Sequence, residues 1–193
     1  KIIIDYKKKN YKVIVVSSAM SGVTNELIKK SFEISDSFSE SEHDVLVSSG
    51  EQVACSLIAG RLIHEGYLSR SWLSWQVPIL TKGKYKNSRI NLINKRNIIK
   101  YLKKGGIPIV TGFQGLNDEN RITTIGRGGS DASAIMIAKF FKAERCIIYT
   151  DVEGVYTTDP NKLKNAKKIK IISYEEMLEM ASLGAKVMQP VSI

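Results

Sequence analysis

Apolar residues follow two rhythms along this chain, and the rhythms alternate. Continuously apolar, β-branched runs occur at 12–17 (Val13-Ile14-Val15-Val16), 107–110 and 146–149. Such a run suits a strand buried on both faces, as in a parallel sheet covered by helices. Residues 69–75 alternate enough for another strand, and 121–124 read as a short β-segment. Elsewhere the apolar positions recur at helical spacing. Residues 1–10 read as a helix end with a basic last turn, and 26–34, 91–104, 132–142 and 173–183 as further helices. Gly105-Gly106 stops the helix at 91–104, while Ser173 and Glu176 form a capping box for the last one. Another helix is expected to begin at Ser48-Ser49-Gly50-Glu51, with serines as cap, Glu51 in the first turn, and Val53, Leu57, Ile58 and Leu62 along one side. The serine-rich, acidic stretch 35–43 reads as a surface connection. The alternation predicts an α/β fold class: a three-layer αβα sandwich around a mainly parallel sheet, in one domain over 1–193.

Composition narrows the function classes. Hydrophobic residues make up 43% of the 193, enough to bury the core of a globular domain. No apolar run approaches the ~18 residues of a membrane span. Ile2-Ile3-Ile4 is too short for the apolar core of a secretory signal. Cys55 and Cys146 stand in no metal or CxxC spacing and are expected to be reduced core cysteines of a cytoplasmic protein. The net charge of +10 raises the question of nucleic acid. The lysines, however, are scattered at 7–9, 29–30, 103–104 and 162–170, near predicted helix ends, and form no single stripe with interleaved aromatics. Neither nucleic acid nor membrane is expected as a partner.

In a mainly parallel sheet, ligands gather at the carboxyl ends of the strands. The Gly- and Ser-rich loops of this chain follow the predicted strands. Thr124-Ile125-Gly126-Arg127-Gly128-Gly129-Ser130-Asp131 is the most informative, because it runs directly into a helix. Its glycines allow backbone N–H groups close to an anion, and the helix N-terminus adds unpaired donors and a positive dipole. Arg127 can hold a carboxylate or phosphate through two hydrogen bonds. Ser130 and Asp131 are also ordinary capping residues, so by itself the segment leaves a plain turn open. It is not a Walker A loop or a Rossmann fingerprint, and the chain carries no protein-kinase signature.

Six segments in order resemble the aspartokinase branch of the amino-acid kinase family. They are Ser18-Ala19-Met20-Ser21-Gly22-Val23-Thr24-Asn25; Ser48-Ser49-Gly50-Glu51; Gly112-Phe113-Gln114-Gly115; residues 126–131; Thr150-Asp151-Val152-Glu153-Gly154-Val155-Tyr156-Thr157-Thr158-Asp159-Pro160; and Gly184-Ala185-Lys186-Val187. The resemblance covers nearly the whole chain. It implies an ATP-dependent phosphotransferase that moves the γ-phosphate onto the β-carboxylate of L-aspartate, the first step of lysine, threonine and methionine biosynthesis. It also implies Mg²⁺ carried with ATP and a homo-oligomeric full-length protein.

The residue roles follow from the same resemblance. Thr24, Glu51, Phe113, Arg127, Gly128, Gly129 and Ser130 are implied for the substrate, with Arg127 on its α-carboxylate and Glu51 on its ammonium. Asp131 and Arg127 are implied as catalytic. Ser130, Thr150, Asp151, Tyr156, Thr157, Asp159, Pro160, Asn161 and Lys186 are implied for ATP. No protein ligand to a metal is assigned. A carboxylate nucleophile is already ionised at neutral pH, so no histidine base is required. His43, in an expected loop, and His64, at a helix end, are read as surface residues.

The sequence departs from the family pattern in places. The family opens with a strand carrying Lys-x-Gly-Gly-Thr-Ser, whose lysine neutralises the transferred phosphoryl group, and a regulatory region follows the catalytic domain. This sequence holds neither, so it is expected to be truncated at both ends and poorly active as it stands. Asn161 replaces a common basic residue, and Gln189 a common histidine. Two alternatives remain at this level: another amino-acid or nucleotide kinase of the same fold, or a truncated paralogue that only binds nucleotide or a partner subunit.

Overall fold

The architecture comes from a computed structural model, which describes residues 1–126, 128–150, 154–158, 163 and 165–182. The chain divides into two units, Lys1–Cys146 and Ile147–Ile193. The first runs α1 (Ile2–Lys8), β1 (Val15–Ser17), α2 (Val23–Ile34), α3 (Glu40–His64), β2 (Ser69–Trp72), β3 (Ile79–Lys84), β4 (Asn87–Ile93), α4 (Arg96–Lys103), β5 (Ile107–Thr111), β6 (Gln114–Leu116), β7 (Ile122–Thr124) and α5 (Gly129–Phe141).

Strands β1, β5 and β2 form a parallel sheet with β5 at its centre. Every residue of β5 is buried, as an apolar run covered on both faces requires. Successive side chains take opposite faces. Ile107 and Ile109, with Val15, pack on Cys55, Ala59 and Leu62 of α3 and on Ile3 and Ile4 of α1. Val110, Trp72 and Val16 pack on Ile98 of α4 and Ile137 of α5. Helices therefore cover both faces of the sheet, which gives the predicted three layers.

A second sheet has the order β4-β3-β6-β7. Its β3–β6 pair is parallel, and it is flanked by antiparallel partners β4 and β7. Its buried interior is rich in hydroxyls. Thr81 and Thr123 share a hydrogen bond of 2.6 Å, and Ser88 donates to Thr123 Oγ1 at 3.0 Å and to the Thr124 carbonyl at 2.9 Å.

Several sequence expectations change. The helix expected from Ser48 begins at Glu40. Ser48, Ser49 and Ser56 lie inside it, their hydroxyls bonded back to the carbonyls of Val45, Leu46 and Val53. A serine satisfied in this way fits within a helix and need not cap it. His43 is in its first turn, not a loop, with Nδ1 buried. Only the later part of 91–104 is helical, since residues up to Ile93 belong to the unanticipated hairpin β3–β4. Residues 146–149 form no strand, and Ile147 is 46% exposed. An apolar β-branched run becomes a strand only where neighbours pair its backbone and cover its side chains. Cys146 is exposed, so the expected core position holds for Cys55 alone.

In the second unit, Val155 and Thr157 exchange backbone hydrogen bonds with Ile169 and Lys167, around an antiparallel bridge between Tyr156 and Lys168. Helix α6 (Tyr174–Ser182) opens with the predicted capping box: Ser173 Oγ accepts the Glu176 N–H at 3.2 Å, and Glu176 Oε2 accepts the Ser173 N–H at 2.9 Å. Among the described residues, no helix is long and apolar enough to cross a membrane.

Candidate active site

Helix α3 carries a row of buried polar groups. Asp44, Ser48 and Glu51 recur at i, i+4 and i+7, which is one helix face. Each ties α3 to a different segment. The Glu51 Oε1 accepts the Ala19 N–H at 3.0 Å, within the 18–25 segment that carries Thr24. The Ser48 carbonyl accepts the Gln114 Nε2 at 2.9 Å, next to Phe113. The Asp44 carboxylate accepts the backbone N–H of Thr124 at 2.8 Å and of Lys86 at 2.9 Å. Thr24 stands half-buried in the first turn of α2, which packs along α3.

Strand β7 leads through Ile125 and Gly126 into the N-terminus of α5. Gly128 caps this 13-residue helix in the left-handed region, at φ 74°. Gly129 is pressed against Phe113: a β-carbon there would stand 2.8 Å from Cδ2 of the ring. Phe113 itself adopts a left-handed φ of 68°, a costly choice for an aromatic residue. Two bonds hold it there. Its N–H donates to Ser133 Oγ at 3.0 Å, and its carbonyl accepts the Ile125 N–H at 2.9 Å. Ser133 Oγ in turn donates to the Gly129 carbonyl at 2.7 Å. Ser130 packs on Gly112 at the end of β5. The fold thus gathers Phe113, Gly129, Ser130 and the half-buried Asp131 around one helix start, at the carboxyl end of the parallel sheet.

Burial dominates the electrostatics. Glu51 is 3% exposed, and burial pushes its carboxyl up to about 7, against the opposing pull of the N–H groups of Ala19 and of Glu51 itself. Its Oε2 is buried without a hydrogen-bond partner among the described residues. An ammonium placed there would complete the carboxylate and draw its pKa back down. Burial, and secondarily the Glu51 charge, pushes Cys55 up to about 12, so it remains a thiol. Burial also raises Asp131 above the usual carboxylate range.

The second unit carries Thr150, Tyr156 and Thr157. The Thr157 N–H donates to the Lys167 carbonyl at 2.9 Å, and Thr157 Oγ1 accepts the Lys167 N–H at 3.1 Å. Arg127, Asp151, Asp159, Pro160, Asn161 and Lys186 lie outside the described residues. Among the described residues, no three His, Cys, Asp or Glu side chains cluster as a metal site would need. Sequence reasoning overlooked Asp44. Its spacing of seven from Glu51 signals a shared helix face, but only once α3 is known to start at Glu40.

Known proteins resemble this chain over most of its length. An aspartokinase of Rickettsia conorii is 51% identical over 185 residues, covering 94% of this chain and 46% of that protein. Aspartokinase 2 of Bacillus subtilis is 47% identical over 95% of the chain and 45% of its own length. The chain spans about half the length of the curated relatives it matches. Among solved structures, the aspartate kinase of Synechocystis superposes with a TM-score of 0.83 at 38% identity, covering 99% of this chain and 32% of that one. E. coli aspartokinase III, in complex with aspartate and ADP, gives 0.83 at 27% identity, covering 93% and 52%. The family model described as "Amino acid kinase family" matches residues 1–193 from end to end. With that match over the fold and helix start described above, the chain belongs to the amino acid kinase family.

Proposed function

We propose that the chain is the catalytic part of an aspartate kinase, which transfers the γ-phosphoryl group of ATP to the β-carboxylate of L-aspartate. The carrying observation is Glu51, a buried carboxylate with one unpartnered oxygen, in the same unit as the Gly128–Asp131 helix start. The aspartokinase relatives, one of them solved with aspartate and ADP, support the same reading.

In this reading the ionised Glu51 receives the substrate ammonium, and Arg127 pairs with the α-carboxylate. Thr24, Phe113, Gly128 and Gly129 line the amino-acid site. Held at both ends, the substrate presents its β-carboxylate to the phosphoryl group. One of its oxygens forms a bond to the γ-phosphorus as the bond to the ADP oxygen breaks. No proton has to move, so catalysis is alignment and charge neutralisation. The positive end of the α5 dipole favours the anionic groups, with Ser130 between amino acid and nucleotide and Asp131 orienting the charged groups. Thr150, Asp151, Tyr156, Thr157, Asp159, Pro160, Asn161 and Lys186 hold the nucleotide. Mg²⁺ accompanies ATP on its phosphates, where this ion usually keeps several waters. The enzyme works in the cytoplasm on ATP and L-aspartate as a homo-oligomer, without nucleic acid or membrane.

An aspartyl-hydroxamate assay on the full-length protein, with Mg-ATP and hydroxylamine, tests this. Product is expected with L-aspartate and not with L-glutamate. Equal product with glutamate, or none with either, overturns the reading.

A further inference from the structure

We propose that Asp44 is a positioning residue for the amino-acid substrate, fixing the end of β7 and the seat of Gly126, which lead toward the α5 start, from 80 residues away in sequence. This rests on the aspartate kinase reading above. Asp44 is fully buried. One oxygen, Oδ2, accepts the N–H groups of Thr124 at 2.8 Å and Lys86 at 2.9 Å. The other, Oδ1, accepts the Thr124 hydroxyl at 2.8 Å and the Lys86 N–H at 3.2 Å.

The two segments it grips are the two that frame Gly126. Thr124 is the last residue of β7 and leads into the loop. Lys86 forms the tip of the β3–β4 hairpin, in a left-handed conformation at φ 62°. Gly126, at φ +82°, rests on that tip: a β-carbon there would stand 3.0 Å from the Lys86 carbonyl and 3.3 Å from Asn87 Oδ1. One carboxylate therefore sets both the strand end that precedes Gly126 and the surface on which Gly126 rests. The loop carries Arg127, assigned above to the substrate α-carboxylate.

The charge of Asp44 is met by these N–H and O–H donors. His43 Nδ1 is 3.6 Å from Oδ1 and makes no hydrogen bond, and Lys86 Nζ reaches Glu40 at 3.9 Å. An acceptor-only group is what this arrangement needs. An asparagine of the same shape turns an NH₂ toward one of the N–H groups. That substitution displaces the hairpin tip or the β7 end while leaving the apolar core intact.

The test is Asp44→Asn in the full-length enzyme, read by steady-state kinetics in each substrate and by hydrogen exchange. The KM for L-aspartate is expected to rise about tenfold or more, since small misplacements of a positioning group carry large penalties. The KM for ATP should stay within about twofold, as expected when only amino-acid binding is affected. Exchange protection should fall at the amides of Lys86 and Thr124 and persist along β5. An unchanged KM for aspartate, with a lower melting temperature or active fraction, makes Asp44 purely structural and overturns the proposal. If Asp44→Asn does not fold, Thr124→Val decides. It removes one hydroxyl donor to Asp44 and should raise the KM for aspartate alone; no change overturns the proposal. A wild-type enzyme that turns over no aspartate removes the functional reading, and this inference with it.

Discussion

The parallel sheet β1-β5-β2 and the mixed sheet β4-β3-β6-β7 differ in the balance of what they bury, although Ile79 and Ile93 of the mixed sheet join the apolar core and Ser69 and Thr111 of the parallel sheet are buried too. The first buries Ile107, Ile109, Val110 and Trp72 between helices. The second buries Thr81, Ser88, Gln114, Thr123 and Thr124, linked by hydrogen bonds to one another and to α3. Apolar contacts are strong in sum but have little direction, so they supply stability. Hydrogen bonds contribute less in net energy but are directional, so they set geometry. The segment proposed for the substrate follows β7 of the second sheet, where position matters more than cohesion.

The sharpest way to break this comparison is Ile109→Ala at the centre of the parallel sheet. It should cost about 2–5 kcal/mol in urea denaturation, through lost burial and a residual cavity. The KM values of the folded enzyme should be unchanged. A large KM effect would mean that the apolar sheet also sets the site.

Next in size is Glu51→Gln, on the helix that serves both sheets. The carboxyl of Glu51 moves from the usual 4.5 to about 7 on folding, so the folded chain holds this proton more tightly than the unfolded one. The stability it contributes is fully present below about pH 4.5 and is lost as pH climbs to about 7. The loss is at most roughly 3–4 kcal/mol, from ~1.4 kcal/mol per pKa unit. Wild type should therefore lose stability between about pH 5 and pH 8, and Glu51→Gln should flatten that slope. Saturating L-aspartate should flatten it as well, because an ammonium favours the ionised form. Parallel pH profiles in chemical denaturation for the two proteins would remove Glu51 from this role.

The smallest expected effect is Thr123→Val in the polar sheet. It keeps the shape and removes the partner of the Thr81 hydroxyl, while Ser88 retains the Thr124 carbonyl, at about 1–3 kcal/mol. A stability change near zero would show that the hydroxyl chain is replaceable and would weaken the contrast between the two sheets.

Much of the secondary structure was legible in sequence. Strands β1, β2, β5 and β7 and helices α2, α5 and α6 fall within a few residues of their predicted ranges, because each is decided by its own periodicity or cap. The hairpin β3–β4 was not legible. Its tip, Tyr85-Lys86, has no Asn-Gly or Asp-Gly signature. Its Lys86 N–H is instead held by Asp44, 42 residues away. The early start of α3 was hidden for a similar reason: its inward face presents Asp44, Ser48 and Glu51, which spoil the apolar stripe that marks a helix.

By itself, the sequence determined the alternation of strands and helices, the apolar central sheet and the family, and it pointed to the segments proposed for the chemistry. All of these depend on local spacing. Tertiary structure decided how those segments meet. The left-handed Phe113, the unpartnered oxygen of Glu51 and the grip of Asp44 on both sides of Gly126 each require partners distant in sequence. A buried polar group is specified by the donors that surround it, and those donors are brought together only when the chain folds.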